Sequence, residues 1–432
     1  MTEAVLAAHR PPVQLTLTGN RTLRLATLFL LYIAQGLPLG LFDFAIPAWL
    51  AQNGASAAAV GGMIALITLP WTFKLVYGFF MDRYAFLEMG RRRPWIIASQ
   101  SGLVASLLAL AAANPAPEEI ALFGSFALML GLFSSVQDVA VDGLAVDVLP
   151  RHEIERANGW MFGGQAVGIA LGGAISGTLI AYSGLAAACL ALAAIAGAIL
   201  LLVIAVRERP GERLLPWSGG AASQRNLDLH VGAFLPIVRN LFAEMFTRET
   251  VKLSLALALG AMAVGIFIAL APSFATEMLG RHKETYRGRG SQASQIAGIA
   301  GVLAFGPVTM KIGARRMYIV ACCGFLTLAA VLLALHESWS RPELLVAVLF
   351  GFFGLVTLRG VAFASLAMRL CQPAIAATQF AVFMAISNLG KSAGSASIGW
   401  LHGLGGYTAM FAAMALCSAG AAALACAARV GR

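Results

Sequence analysis

The sequence contains little charge for its length. Charged residues make up 12% of its 432 residues, whereas hydrophobic residues make up 59% and the mean hydropathy is +0.81. A water-soluble domain carries about 25% charged residues. The composition therefore excludes a soluble enzyme and a disordered chain, and it predicts an all-α integral membrane protein. Nucleic-acid binding, which the net charge of +10 would otherwise favour, is also set aside.

The sequence also lacks the motifs of metal, disulfide and nucleotide chemistry. Its six cysteines fall within apolar runs and form no C-x-x-C, and its six histidines lie in loops or at segment ends. No G-x-x-x-x-G-K-[ST] loop is present to bind ATP phosphates. We therefore expect no metal and no cofactor, and we expect an ion gradient rather than ATP to supply any work.

Twelve apolar stretches are long enough to cross a bilayer, which needs about 20 apolar residues in a helix. They are residues 25–50, 60–81, 94–113, 119–142, 157–182, 184–206, 251–273, 291–311, 316–335, 343–366, 375–400 and 405–428. The polar segment 207–250 divides them into a half at 1–206 and a half at 251–432. Within this linker, residues 227–246 alternate apolar and charged side chains at helical spacing, which predicts an amphipathic helix on the membrane surface.

The distribution of basic residues predicts the orientation. Most of the 30 lysines and arginines fall in cytoplasmic segments if both termini are cytoplasmic. The exception is a cluster in the predicted outer loop, made of Arg281, Lys283, Arg287 and Arg289. Two interpretations stay open: these side chains cap a helix by snorkelling, or they form a mouth that attracts anions.

Two pairs of features repeat at nearly the same separation. Gly90, before three arginines, has a counterpart in Gly313, before Arg315 and Arg316. The glycines at 168, 172 and 177 recur in the same spacing at 390, 394 and 399. A duplicated six-helix unit with both copies in the same orientation is the arrangement of the major facilitator fold. The sequence thus predicts twelve helices in two pseudo-symmetric halves.

Five short stretches carry a resemblance to a known family. They are QGLPLGL (35–41), FK (73–74), MDRY (81–84), QDVAVDG (137–143) and ATQF (377–380). Together they resemble the peptide–acetyl-coenzyme A transporters of the major facilitator superfamily, which include the AmpG-type muropeptide permeases.

The resemblance implies a function, which we state as an expectation. It implies a monomeric, proton-coupled secondary transporter of the bacterial inner membrane, not an enzyme. Such a protein would import an anionic amphiphilic solute, such as an anhydro-muropeptide, by alternating access. Two alternatives stay open. The same scaffold could import a siderophore or a coenzyme A ester, or the chain could be a non-transporting assembly factor or sensor.

Ionisable residues inside the spans are candidates for proton coupling, because a charge at mid-membrane is costly and usually faces a cavity or a partner. Asp138 and Asp142 share one helix face, and Lys74 lies at similar depth in another span. These three predict a proton relay, with a purely structural ion pair as the alternative. Asp43, near the outer end of the first span, is predicted to be either a proton acceptor or a solvated gate residue.

Other polar residues in the spans are candidates for substrate binding. Arg359 suits a carboxylate or phosphate, and its repeat-related position also allows it to neutralise Asp138 instead. Lys391 could bind an anion or snorkel outward. The remaining candidates are Tyr32, Gln35, Trp71, Gln165, Gln379 and Asn388.

Charged residues at the cytoplasmic ends of the spans predict a conformational latch. An ion-paired cluster there could stabilise one state of a transporter without contacting the substrate. The predicted members are Asp82, Arg83, Arg91, Arg92, Arg93 and Asp147.

Overall fold

The computed structural model describes residues 15–55, 57–279, 296, 299–300 and 304–428, and this part of the chain is almost entirely helical. The first half begins with α1 (Arg21–Gly40), which continues through a π turn (Leu41–Ala45) into α2 (Ile46–Gln52). The helices that follow are α3 (Ala57–Thr68), α4 (Lys74–Arg83), α5 (Arg93–Ala113), α6 (Ile120–Val148) and α7 (Ile154–Ala205).

The linker carries two short helices, and the second half carries six. The linker helices are α8 (Gln224–Asp228) and α9 (Phe234–Met245). The others are α10 (Arg248–Leu279), α11 (Gly306–Ile312), α12 (Ala314–Ala334), α13 (Pro342–Leu370), α14 (Ala376–Ala396) and α15 (Ile398–Ala427).

Ten helical stretches within the described residues are long and apolar enough to cross a membrane. One of them contains α7, whose 52 residues would measure about 78 Å if straight, far more than one bilayer crossing. The backbone of α7 leaves helical geometry at Gly184, where φ is +85°, so the helix divides where the sequence predicts a new span. The predicted span at 291–311 lies largely outside the described residues. The count of twelve therefore agrees with the structure and stays a prediction.

Glycines permit close approach between helices, and they do so at positions that are related by the sequence repeat. A Cβ on Gly168 or Gly172 of α7 would collide with backbone carbonyls of α1. A Cβ on Gly390 or Gly394 of α14 would collide with backbone carbonyls of α10 in the same way. Only a residue without a side chain permits such close approach. This repetition supports the duplicated unit that the sequence predicts, although the boundaries of the two halves stay a prediction.

The amphipathic segment of the linker differs from its prediction. Residues 227–246 do not form one helix, because α8 ends at Asp228 and α9 begins only at Phe234. Pro236 gives the reason: its ring would clash with the carbonyl four residues earlier, so the helix cannot extend far upstream. The end of the helix bundle that carries residues 206–247 is called the linker side below.

Candidate functional site

A cavity of about 950 Å³ separates the segment that joins α3 to α4 from α14. It lies toward the end of α14 that is remote from the linker side. Trp71 and Lys74 line one wall, and Asn388 and Lys391 line the other. The side chains of Asn388 and Lys391 are exposed. Thr68, Thr72, Ser392 and Ser395 add hydroxyl groups, so the cavity offers both cations and neutral hydrogen-bonding partners.

A smaller cavity of about 190 Å³ adjoins the first and shares Trp71 and Asn388 with it. Its polar lining consists of Tyr32, Asp138, Asp142 and Gln165. Phe162, Ala364, Phe380 and Met384 supply the apolar lining. The two cavities together lead from the exposed lysine on α14 to the carboxylates on α6.

Asp138 is the centre of a buried hydrogen-bond network. Its carboxylate forms an ion pair with Lys74 and accepts a hydrogen bond of 2.6 Å from Gln35 Nε2. Gln35 in turn accepts a hydrogen bond of 2.7 Å from Gln165 Nε2. The Lys74 ammonium also lies 4.4 Å from the centre of the Trp71 ring, at cation–π distance. Every charge-bearing atom of this network faces a partner, so the charges can persist at membrane depth.

Asp142 lies one helical turn from Asp138 on the same face of α6. Tyr32 donates a hydrogen bond of 2.6 Å to its carboxylate. Among the described residues no lysine, arginine or histidine forms an ion pair with Asp142. Two carboxylates and one ammonium therefore share this buried region, which leaves one negative charge in excess when all three are ionised.

Four buried charges form a second network at the linker side. Arg92 donates to Asp82 at 2.5 Å and to Asp147 at 3.1 Å, and Arg91 contacts Asp147 at 3.2 Å. All four side chains are at most 1% exposed. These residues lie on the ends of α4 and α6 and on the loop before α5, so the network ties the first half together.

The same charges reach across to the second half. Arg91 donates to the carbonyls of Pro373 at 2.7 Å and Ala374 at 2.9 Å. Asp82 accepts hydrogen bonds from the backbone N–H of Thr378 at 2.8 Å and from its hydroxyl at 2.7 Å. These four hydrogen bonds close the linker side, whereas the larger cavity lies toward the other end of the bundle. Asp82, Arg91, Arg92, Asp147 and Thr378 are called the gate below.

Glu208 in the linker stabilises the loop that carries the gate arginines. Its carboxylate accepts the backbone N–H groups of Arg91, Arg92 and Arg93 at 3.0, 2.8 and 2.6 Å. An acidic side chain at the beginning of α5 is favourable because the unpaired N–H groups and the helix dipole attract negative charge. Gly90 precedes these residues with φ of +102°, and a Cβ there would collide with the Glu208 carboxylate.

Glu212 lies beside Glu208 and is also buried. It accepts hydrogen bonds from the Arg209 backbone N–H at 2.9 Å and from Asn226 Nδ2 at 2.7 Å. Burial, together with the neighbouring Glu208 carboxylate, raises the pKa of Glu212 from 4.5 to about 7. The linker therefore contains a carboxyl group with a pKa near neutral pH, beside the Glu208 carboxylate that holds the loop at Arg91–Arg93.

The comparison with protein families decides the family. The model of the Major Facilitator Superfamily matches residues 28–395, which is most of the chain. The chain belongs to the major facilitator superfamily. It is thus a multi-pass membrane transporter.

Named relatives of this transporter are similar at low identity. The "Putative transporter AmpG 4" of Rickettsia conorii is 25% identical over 399 residues, which cover 90% of this chain and 92% of that protein. The "Anhydromuropeptide permease" of Escherichia coli is 31% identical over 130 residues, which cover 30% of this chain and 26% of that protein. The transporter is therefore similar to AmpG-type proteins, as its motifs indicate.

Solved structures share the fold. The transporter FucP in its outward conformation superposes with a TM-score of 0.69 at 12% identity, over 94% of this chain and 99% of that one. The human organic anion transporter MFSD10 superposes with a TM-score of 0.64 at 15% identity, over 93% and 98%. At these identities the likeness shows the fold alone, and it agrees with the helical architecture that the sequence predicts.

The structure brings most of the predicted cavity residues of this transporter together. Residues from α1, α4, α6, α7, α14 and the segment that joins α3 to α4 meet in or beside the two cavities. They are Tyr32, Gln35, Trp71, Lys74, Asp138, Asp142, Gln165, Asn388 and Lys391. Their roles in coupling and binding stay predictions, since a position beside a cavity does not by itself show a role.

Three predicted site residues lie elsewhere. Gln379 is buried in the first turn of α14, where its side chain donates to the Leu370 carbonyl and accepts from the Gln372 N–H. Through these contacts it holds the segment 370–372, and it lines neither cavity. Its role in substrate binding stays a prediction. Asp43 lies in the π turn after α1, half-buried, and its Oδ1 has no hydrogen-bond partner among the described residues.

Arg359 is the third of these residues. The alternative in which it neutralises Asp138 is wrong for this structure, because Asp138 pairs with Lys74. Arg359 interacts instead with Tyr318 and Cys322, and its Nε and Nη1 have no hydrogen-bond partner among the described residues. The residue as a whole is 9% exposed, and it lines neither cavity.

Two members of the predicted latch have other partners. Arg83 stacks 4.9 Å from the Tyr84 ring and 6.0 Å from the Phe234 ring of α9. Arg93 donates to four backbone carbonyls, those of Val203, Ile204, Arg213 and Leu214. Among the described residues, neither contacts an acidic side chain of the gate: the Arg93 guanidinium is bonded to these carbonyls, and that of Arg83 lies against the two rings. The predicted outer cluster at 281–289 lies outside the described residues.

Sequence reasoning missed Thr378, Glu208 and Glu212. Thr378 lies within the ATQF stretch, but nothing in the sequence indicates that Asp82 is its partner. One signal for Glu208 is visible in the sequence, because in the RER stretch at 207–209 an acidic residue stands between two arginines at the end of a span. Its contacts with a loop more than a hundred residues earlier arise only from the packing of the helices.

Proposed function

We propose that this transporter imports an anionic amphiphilic solute together with protons across the bacterial inner membrane, with both termini cytoplasmic. The observation that carries the proposal is the Lys74–Asp138 ion pair beside a second carboxylate, Asp142, at the inner end of an accessible cavity. Similarity to AmpG-type proteins supports an anhydro-muropeptide as the solute.

Proton coupling follows from the chemistry of this cluster. A proton on Asp138 removes the charge that holds Lys74, and the ammonium then has only the Trp71 ring as a described partner. Asp142 lies one helical turn away on the same face of α6, so a second carboxylate faces the same buried region. Protonation from the cavity thus changes the contacts between α4 and α6, both of which also carry gate residues.

The cavity fits a solute of moderate size with negative charge. Its volume of about 950 Å³ lies at the upper end of the range for drug-sized ligands. Lys391 is exposed on its wall and has no acidic partner among the described residues. Trp71 offers an aromatic face for a sugar ring, and Asn388 and Ser392 offer hydrogen bonds. A monomer suffices, because one chain supplies both walls.

The orientation proposed from the basic residues makes the linker side cytoplasmic. The structure then has a closed cytoplasmic gate and a cavity toward the outside. Import requires the hydrogen bonds from Arg91 and Asp82 to the second half to break, while the outer walls approach each other. Alternating access of this kind needs no cofactor.

The decisive experiment is uptake into proteoliposomes. Purified protein should accumulate a radiolabelled anhydro-muropeptide when the outside is acidified, and a protonophore should abolish the accumulation. Asp138→Asn should lose accumulation but retain counterflow exchange, because exchange requires no net proton movement. The matched control, Asp228→Asn, changes an exposed linker residue and should behave as wild type.

Normal accumulation in both Asp138→Asn and Asp142→Asn would refute the coupling role of this cluster. If an unlabelled coenzyme A ester or a ferric siderophore competes for the transporter and the muropeptide does not, that compound replaces the muropeptide as the proposed solute. Ligand binding without any flux would favour a sensor or assembly factor.

A further inference from the structure

The linker helix α9 exposes an apolar face that no described residue covers. Leu235, Phe242 and Phe246 are 77%, 58% and 71% exposed. Their spacing, together with Arg239, places all four side chains on one face of the helix. A soluble surface seldom exposes apolar side chains of this size together.

The opposite face of α9 packs on the second half of the transporter. Ile237 and Leu241 are buried and form an apolar cluster with Ile375. Glu244 accepts a hydrogen bond of 2.8 Å from Gln372 Nε2. The buried face of α9 therefore holds the turn at 372–375, and the exposed face takes no part in that contact.

That turn is part of the closed gate. Arg91 holds it from the first half through the carbonyls of Pro373 and Ala374. At its other end α9 also contacts the first half, where the Phe234 ring lies 5.9 Å from Phe80 and 5.8 Å from Tyr84. The helix thus bridges both halves at the side that must open.

We propose that the exposed face of α9 binds the surface of the bilayer on the linker side, with acidic phospholipid headgroups at Arg239, and so braces the closed gate. The bilayer is the occupant that the surroundings favour. Phe80 is exposed within a membrane span and is continuous with Phe234 through ring contact, so the apolar surface of α4 continues onto α9.

Interfacial helices have this composition. An apolar stripe enters the boundary between headgroups and acyl chains, while a basic side chain extends to the phosphates. Arg239 is exposed and has no acidic partner among the described residues. Opening the gate must separate α9 from one of the two halves, so a helix held by lipid resists opening.

Fluorescence quenching in proteoliposomes tests the contact. Phe242→Trp places a reporter on the exposed face, and Ile237→Trp is the matched control on the buried face. Phospholipids brominated on their acyl chains should quench the additional fluorescence of Phe242→Trp, measured against the seven native tryptophans of the wild type. They should leave that of Ile237→Trp unchanged. If Ile237→Trp does not fold, Leu235→Trp must still be quenched as Phe242→Trp is.

Quenching of Phe242→Trp by aqueous acrylamide and not by brominated lipid would overturn the proposal, since the face would then meet water or a soluble protein. This readout involves no transported solute, so it is independent of the proposed function.

The effect on the gate has its own readout in Cys371, which precedes the turn and is only 8% exposed. Its alkylation by N-ethylmaleimide, followed by mass spectrometry, reports opening of the linker side. Replacing phosphatidylglycerol with phosphatidylcholine should raise the alkylation rate about fivefold, the effect of one basic residue near an anionic surface. Arg239→Gln should remove this dependence on the lipid. Equal rates of wild type in both lipids would refute the bracing role.

Discussion

Thr378→Val isolates one hydrogen bond of the gate. The wild-type hydroxyl donates to Asp82 at 2.7 Å across the two halves, and valine keeps the shape of the side chain without the donor. The backbone N–H of Thr378, which bonds the same oxygen at 2.8 Å, is unaffected. The perturbation therefore removes a single contact between the two halves, one that the proposed opening of the linker side would break.

The magnitude follows from the charge of the acceptor. A hydrogen bond to a charged group contributes about 1.5–3 kcal/mol. The loss should shift the ratio of open to closed states by about 10- to 150-fold. Because Cys371 is buried in the closed state, its alkylation rate should rise by the same factor as long as the open state remains the minor one.

The assay compares the alkylation of Cys371 in wild type and Thr378→Val by mass spectrometry in proteoliposomes. The exposed Cys426, at the end of α15, serves as an internal standard for the reagent. Thr309→Val is the matched control, because the buried Thr309 hydroxyl has no hydrogen-bond partner in the described part of the chain. Its Cys371 rate should equal that of wild type. An unchanged rate in Thr378→Val would show that the contact does not favour the closed state.

Three further predictions concern the pH response, the helix packing and the buried arginine. Glu212 has a folded-state pKa of about 7 against 4.5 in its unperturbed form, so its contribution to stability is fully present below pH 4.5 and is lost as the pH rises through 7. Glu212→Gln should remove this pH dependence of the stability. At pH 8 its free energy of unfolding should exceed that of wild type by up to about 3 kcal/mol, since each pH unit between the two pKa values is worth about 1.4 kcal/mol. Identical pH profiles of the melting temperature in the two proteins would contradict this prediction. Gly168→Ala should lower the melting temperature, because its Cβ would collide with α1. Gly177→Ala is the control and should not lower it, because a Cβ there meets nothing within 4 Å. Equal losses in the two variants would show that Gly168 does not act by permitting close approach of the helices. Arg359→Lys should leave solute affinity, measured by thermal shift, near that of wild type, because Arg359 lines neither cavity. A loss of about 10- to 150-fold would instead show that the guanidinium contacts the solute anion, since lysine lacks the planar fork.

The charges inside the spans show how far sequence reasoning reaches. Their positions at membrane depth predict correctly that Lys74, Asp138 and Asp142 come together, because helix rise fixes the depth of each residue. Depth leaves the rotation of each helix undetermined, and rotation decides which side chains face each other. For that reason the sequence allowed Arg359 as the partner of Asp138, and the structure shows Lys74.

The arginines of the gate show the same limit at closer range. Arg91, Arg92 and Arg93 are consecutive, and the sequence treats them alike. Successive residues of a turn point in different directions, so Arg91 and Arg92 reach Asp147 while Arg93 reaches the carbonyls at the end of α7. A charge count cannot distinguish them.

The sequence by itself determined the membrane class, the positions of most spans, the repeated glycine spacing and the family resemblance. These properties depend on the length of apolar runs and on spacing within single segments, which are local. The tertiary structure decided which charges pair, which side of the bundle is closed, how Glu208 holds the gate loop and where α9 lies. These depend on contacts between residues that are far apart in the chain, such as Asp82 and Thr378, and only the packing of the helices brings such residues together.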